Sequence, residues 1–151
     1  MPSQLSGIDF VAYDREGKVV LLAEAKSRHG TSVDWAARLR RNMLSHGHLP
    51  WARYFLIATP ERMYIWRQER PDAADAPPEF TIDAAKVFQP YFKKLRQEPS
   101  KIGPEAFELL VLTWLTDIAR SGEHDLKQDP SAALMSELTR SLQQARIEMN
   151  A

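Results

Sequence analysis

The 151 residues are 44% hydrophobic, 26% charged and 9% aromatic, the profile of one compact domain and not of a disordered, collagen-like or disulfide-stapled chain. Twenty Lys and Arg balance twenty Asp and Glu, so no overall field draws the molecule onto nucleic acid or an anionic membrane, and any nucleic-acid site has to be a local patch. Cysteine is absent, which excludes disulfides, thiolate catalysis and Cys-ligated metals and agrees with a cytoplasmic location.

The charge is split along the chain. Residues 1–68 hold ten basic and six acidic side chains, residues 69–151 ten basic and fourteen acidic. Apolar stretches are short and broken by Glu24, Lys26, Glu108 and Asp117, so no membrane span or secretion signal is expected. Residues 8–13 and 18–26 are strand-like runs flanking Asp14-Arg15-Glu16-Gly17, a turn whose glycine can take positive φ. They predict a β-hairpin. Thr31-Ser32-Val33-Asp34 is a capping-box-like start with Asp in place of Glu, and Trp35, Leu39, Met43 and Leu44 follow at helical spacing. A helix is expected to about His46, where His46 and His48 suit a helix C-terminus better than a zinc site. Residues 53–58 and 63–66 predict a second hairpin across Thr59-Pro60-Glu61-Arg62.

Residues 69–82 read as a surface loop, Pro/Ala-rich and without periodicity. Beyond it the pattern is helical: 83–95 with a break at Pro90, then about 104–120 and 130–149, each opening at a proline. The organisation expected is a sheet core over 1–68, the loop, and a helical segment over 83–151, all within a single domain. Trp51, Tyr54, Tyr64 and Trp66 are expected in the core, as are Phe107, Leu110, Val111, Trp114 and Leu115. Leu134, Leu138, Leu142 and Ala145 form an i, i+4 stripe that has to bury against this domain or against a second copy.

The chemistry concentrates in the first hairpin. A two-residue loop at Glu16-Gly17 makes opposite residues sum to thirty-three, which sets Asp9 against Glu24. Alternation along the strand puts Lys26 on the face of Glu24. Two carboxylates facing each other among apolar neighbours repel and call for a cation. Oxygen ligands suit a hard divalent ion, and Mg²⁺ takes one or two carboxylates while keeping water and phosphate for its other positions. Lys26 beside that ion is able to orient water and stabilise charge on a phosphate. Arg28, two residues beyond Lys26, and the run Arg38, Arg40 and Arg41 are candidate phosphate contacts, a charge run on a helix being equally a solvated face.

Gly7-Ile8-Asp9-Phe10-Val11-Ala12-Tyr13 followed by Leu22-Ala23-Glu24-Ala25-Lys26 resembles the PD-(D/E)XK restriction-endonuclease-like superfamily in its Asp, Glu-x-Lys form. The resemblance covers about residues 7–66 in the order hairpin, helix, strand, strand. It implies an α/β fold, a central mixed β-sheet flanked by helices. It also implies Mg²⁺ (or Mn²⁺) bound by Asp9, Glu24 and the backbone carbonyl of Ala25, with Lys26 assisting the attacking water. Phosphodiester hydrolysis of nucleic acid, DNA before RNA, is the implied activity. The alternative is an inactive member serving as a binding or assembly module. Only eight residues precede Asp9, too few for the helix that usually precedes the first core strand in that superfamily, so the C-terminal helices or a homodimer partner are expected to cover the sheet.

Overall fold

A computed structural model describes residues 7–68, 75–121 and 132–150. Residues 69–74 of the expected loop and Pro130 lie outside the described residues. The chain runs β1 (Phe10–Tyr13), β2 (Val19–Ala25), α1 (Val33–His46), β3 (Tyr54–Ala58), β4 (Arg62–Arg67), β5 (Phe80–Asp83), α2 (Ala84–Leu95), α3 (Pro104–Ser121), α4 (Ala132–Ser141) and β6 (Arg146–Met149). The six strands form one mixed sheet in the order β5-β4-β3-β2-β1-β6. Only β2 and β3 are parallel, joined by α1, as a parallel pair requires a crossover. The fold is α/β.

Period-two alternation sorts the strand side chains into two layers. Ile8, Val11, Tyr13, Leu22, Phe55, Ile57, Tyr64 and Trp66 pack beneath α1. Phe10, Ala12, Leu21, Ala23, Tyr54, Leu56 and Ile65 pack beneath α2, α3 and α4. Both faces are thus covered within one chain. Leu134, Leu138 and Leu142 of the expected stripe are buried in the second layer, with Ala145 packed against it. The apolar surface on which a homodimer was expected is used internally. No helix among the described residues is long and apolar enough to cross a membrane.

The first hairpin departs from the expected turn and still reaches the expected register. Asp14 N–H donates to the Lys18 carbonyl and Gly17, at φ 82°, donates to the Asp14 carbonyl, which makes a three-residue loop with glycine in the left-handed position. The Asp14 carboxylate accepts from Glu16 and Lys18 N–H at 2.9 Å each. Tyr13 therefore faces Val19, one residue off the expected sum. An irregularity between Ala12 and Tyr13 then shifts the ladder, and Ala12↔Leu21, Val11↔Leu22 and Phe10↔Ala23 all sum to thirty-three. Two deviations cancel before the chain reaches Asp9.

Other expectations need correction. The α1 cap is Ser32, which accepts from Trp35 N–H at 3.1 Å, while the Thr31 hydroxyl is bound to the Tyr64 hydroxyl at 2.7 Å. The expected loop contains a strand, β5, antiparallel to β4. The expected last helix stops at Ser141; Gln144 turns the chain at φ 58° and residues 146–149 pair with β1 as β6. Pro90 does not break α2. Pro90 and Lys86, whose carbonyl loses its donor to the proline, are both exposed, so the carbonyl lies open to solvent and the lost bond costs little. Trp51 is 40% exposed, whereas Tyr54, Tyr64 and Trp66 are buried.

Candidate metal centre

The site lies where β1 begins and β2 ends. Lys26 N–H donates to the Ala58 carbonyl of β3, so the Ala25 N–H, one residue earlier, turns toward β1. Pairing of β1 with β2 stops at Phe10↔Ala23, and the Asp9 carboxylate takes up that N–H at 2.9 Å. In return the Asp9 N–H donates to Glu24 Oε1 at 3.0 Å. Glu24 Oε2 pairs with Lys26 Nζ at 3.2 Å. Asp9, Glu24 and Lys26 thus converge as expected, each carboxylate closing the ladder of the other's strand.

The electrostatics are asymmetric. Glu24 is only 7% exposed, whereas Asp9 is half-buried and the Lys26 side chain is 42% exposed. Burial, reinforced by the charge of Asp9, pushes the Glu24 carboxyl up to about 7, against a smaller opposing pull from Lys26. A carboxyl held this way gains from a nearby cation more than a solvated one does, because the cation removes the penalty of ionisation.

The charges of Asp9 and Lys26 are also felt by an acid on α3. Glu108 of α3 is half-buried, and its carboxyl is pushed upward by burial and by Asp9, with Lys26 opposing and Glu105 adding a little. The Ser27 hydroxyl, one residue past Lys26, donates to the Ile102 carbonyl just ahead of α3, which fixes the start of that helix against the end of β2. In sequence Glu108 appears only as an interruption of an apolar run. The available signal was its place beside Phe107 and Val111, an i, i+4 pair on the buried face. Among the described residues no group of three or more His, Asp or Glu side chains stands close enough together to enclose a metal ion.

The expected phosphate contacts divide. Arg28 is exposed just beyond Lys26, its N–H donating to the Lys26 carbonyl. Arg38 and Arg41 are exposed on α1 and line a shallow cleft with Asp34, Ala37 and Asp75. Arg40 is no phosphate contact. It is fully buried, its guanidinium 5.6 Å from the Phe55 ring and 5.3 Å from the Trp66 ring, with a 2.6 Å bond to Gln68 Oε1. The helix period that put Arg38 and Arg41 outside turned Arg40 inward. His46 Nδ1 lies 2.9 Å from the Asn42 carbonyl, a contact within the last turns of α1.

The donor set fits a hard divalent ion in kind: two carboxylates at a strand end, one of them desolvated, and the Ala25 carbonyl turned to the same side as its N–H. The chemistry open to this arrangement is binding of a cation and of the oxyanions that follow it, with Lys26 and Arg28 as positive charge at the rim. The chain matches no family model, no curated protein and no solved structure.

Proposed function

We propose that the protein is a divalent-cation-dependent phosphodiesterase acting on nucleic acid, DNA before RNA, in a reducing cytoplasmic setting. The observation that carries this reading is Glu24: a carboxylate 7% exposed, facing a second carboxylate and left near neutral pH in its titration. Keeping such a group at a strand end costs stability, and a bound cation offsets that cost. Asp9, Glu24 and the Ala25 carbonyl are the groups to hold Mg²⁺ or Mn²⁺, which when bound supplies Lewis-acid polarisation of a phosphate and a more acidic water. Lys26, half-exposed beside Glu24, is the group to orient the attacking water and to balance the negative charge that develops on phosphorus-bound oxygen. Arg28, exposed just beyond Lys26, is the group proposed for the flanking phosphate. Position supports the reading as well, since open α/β sheets bind ligands beyond the carboxyl ends of their parallel strands, and both β2 and β3 end here.

One observation favours a second reading, an inactive fold of the same kind serving as a binding or assembly module. The bonds from Asp9 N–H to Glu24, from Ala25 N–H to Asp9 and from Lys26 to Glu24 satisfy the cluster without an ion. Titration with Mn²⁺ followed by calorimetry separates the two. Binding with a stoichiometry of about one that is lost in Asp9→Asn supports the enzyme reading. No binding at millimolar Mn²⁺ leaves the ion network as a structural device.

A further inference from the structure

The sheet ends at β6, and among the described residues no strand pairs with its outer edge. The direction of the backbone groups there is fixed by the strands inside it. Lys26 N–H donates to the Ala58 carbonyl, so the backbone groups of even-numbered β2 residues point to β3 and those of odd-numbered ones to β1. Phe10 and Ala12, opposite Ala23 and Leu21, therefore bond to β2, which leaves Val11 and Tyr13 to bond Glu148 and Arg146 of β6. Asn150 N–H, donating to the Asp9 carbonyl, continues the same alternation. The N–H and C=O of Ile147 and Met149 are thus directed away from β1, toward the outside of the sheet. Arg146 and Glu148 share the α1 face with Tyr13 and Val11. Ile147 and Met149 stand on the other face, Ile147 packed against the core and Met149 47% exposed.

We propose that β6 pairs antiparallel with β6 of a second copy of this chain, about a two-fold axis through Ile147, so that the two sheets continue into one. An antiparallel ladder requires opposite residues to point their backbone groups the same way, so the axis has to pass through a residue and not between two. Centred on Arg146 or on Glu148, it sets a charge directly against its own copy, which is destabilising. Centred on Met149, it sets neither charge against an opposite one. Centred on Ile147, it sets Arg146 of each copy against Glu148 of the other, on one face of the joined sheet. On the other face Ile147 meets Ile147, and Met149 meets Ala145 of the second copy. Ala145 lines an open groove beside the edge with Thr116, Ala119, Arg120, Gln144 and Ile147, so the exposed Met149 gains a seat among small side chains. Charged edge strands ordinarily resist strand addition. Here the two charges are of opposite sign and two residues apart, and the two-fold matches them. Such an interface closes at two copies. It uses an edge of the sheet and neither of its covered faces, and it does not depend on the metal-dependent reading.

The test is sedimentation equilibrium of the full chain at micromolar concentration, for the wild type, Arg146→Glu, Glu148→Arg and the double reversal. The wild type is expected to be a dimer. Each single reversal is expected to raise the dimer dissociation constant about tenfold or more, by turning both cross-copy pairs repulsive, and the double reversal to restore it. Within one copy Arg146 also lies 4.0 Å from Glu148 and 4.7 Å from the Tyr13 ring, so a second pair of variants leaves these charges in place. The chain has no cysteine, and opposite residues of a hydrogen-bonded antiparallel pair lie about 5.5 Å apart at Cα, within the span of a disulfide. Ile147→Cys is therefore expected to cross-link two copies under mild oxidation, and Met149→Cys, more exposed but set opposite Ala145, to do so at least about tenfold more slowly. A monomeric wild type overturns the proposal. So does a dimer whose dissociation constant ignores the single reversals or is not recovered in the double one, and so does cross-linking of Met149→Cys as fast as that of Ile147→Cys.

Discussion

Replacing Glu24 with Gln is expected to change how stability depends on pH. The carboxyl titrates near 4.5 when solvated and near 7 in the folded protein. An acid whose value rises on folding keeps its proton longer in the native state, so the native state binds more protons between these limits and stability falls as pH rises through them. Below about pH 4.5 the group costs nothing, since both states are protonated. Above about pH 7 the full penalty is present, on the order of 3 kcal/mol from a shift of this size. Most of that change, about 2.5 kcal/mol, falls between pH 5 and pH 8. Glutamine keeps an oxygen for the Asp9 N–H and carries no charge, so its stability should not follow this slope. Urea unfolding of both proteins at pH 5 and pH 8 in the presence of a chelator measures it. The upward-shifted Glu108 and the downward-shifted Glu137 are present in both proteins and cancel in the difference. Glu24→Gln should gain about 2 to 3 kcal/mol on the wild type in going from pH 5 to pH 8. Two curves parallel within about 0.5 kcal/mol would refute the claim that a strained, desolvated carboxylate occupies this position.

Two further predictions concern residues where the structure departs from the sequence pattern. Arg40→Ala should lower stability by about 3 kcal/mol through the cavity left between Phe55 and Trp66 and the lost bond to Gln68; Arg38→Ala should stay within about 0.5 kcal/mol. Urea unfolding decides, and equal effects would mean that Arg40 does not insert as described. Pro90→Ala should raise stability by about 1 to 2 kcal/mol, because it restores the donor to the exposed Lys86 carbonyl inside an unbroken helix. A loss in thermal melting would show that α2 depends on the proline, whose ring limits the unfolded chain.

What could be read from the sequence was what local chemistry decides. Alternation in residues 8–13 and 18–26 fixed which faces of β1 and β2 carry Asp9, Glu24 and Lys26, and helical spacing placed α1 and α3 within a few residues. The register at Asp9 was expected for an incomplete reason: the loop is a residue longer than assumed, and a second irregularity restores the count. The edge strands were illegible. Phe80-Thr81-Ile82-Asp83 and Arg146-Ile147-Glu148-Met149 alternate over only four residues, too few to outweigh the helical patterns beside them, and each is a strand only because β4 or β1 offers it an unpaired edge. Glu108 was illegible for a related reason. The influence of Asp9 on its carboxyl depends on the packing of α3 and on the Ser27–Ile102 bond, a contact between residues 75 positions apart.

The proposed metal-dependent chemistry on nucleic acid rests on the Asp9, Glu24 and Lys26 cluster. The most direct measurement is cleavage of single- and double-stranded DNA and of RNA by the wild type and by Lys26→Ala, with Mg²⁺, with Mn²⁺ and with chelator, alongside Mn²⁺ affinity for both proteins. Cleavage by the wild type is expected to require the cation, and most of it is expected to be lost in Lys26→Ala with ion binding retained, because in the proposed mechanism the amine acts on water and phosphate. A wild type that cleaves none of these substrates with either cation, beside a Lys26→Ala variant altered only in melting temperature, would contradict it.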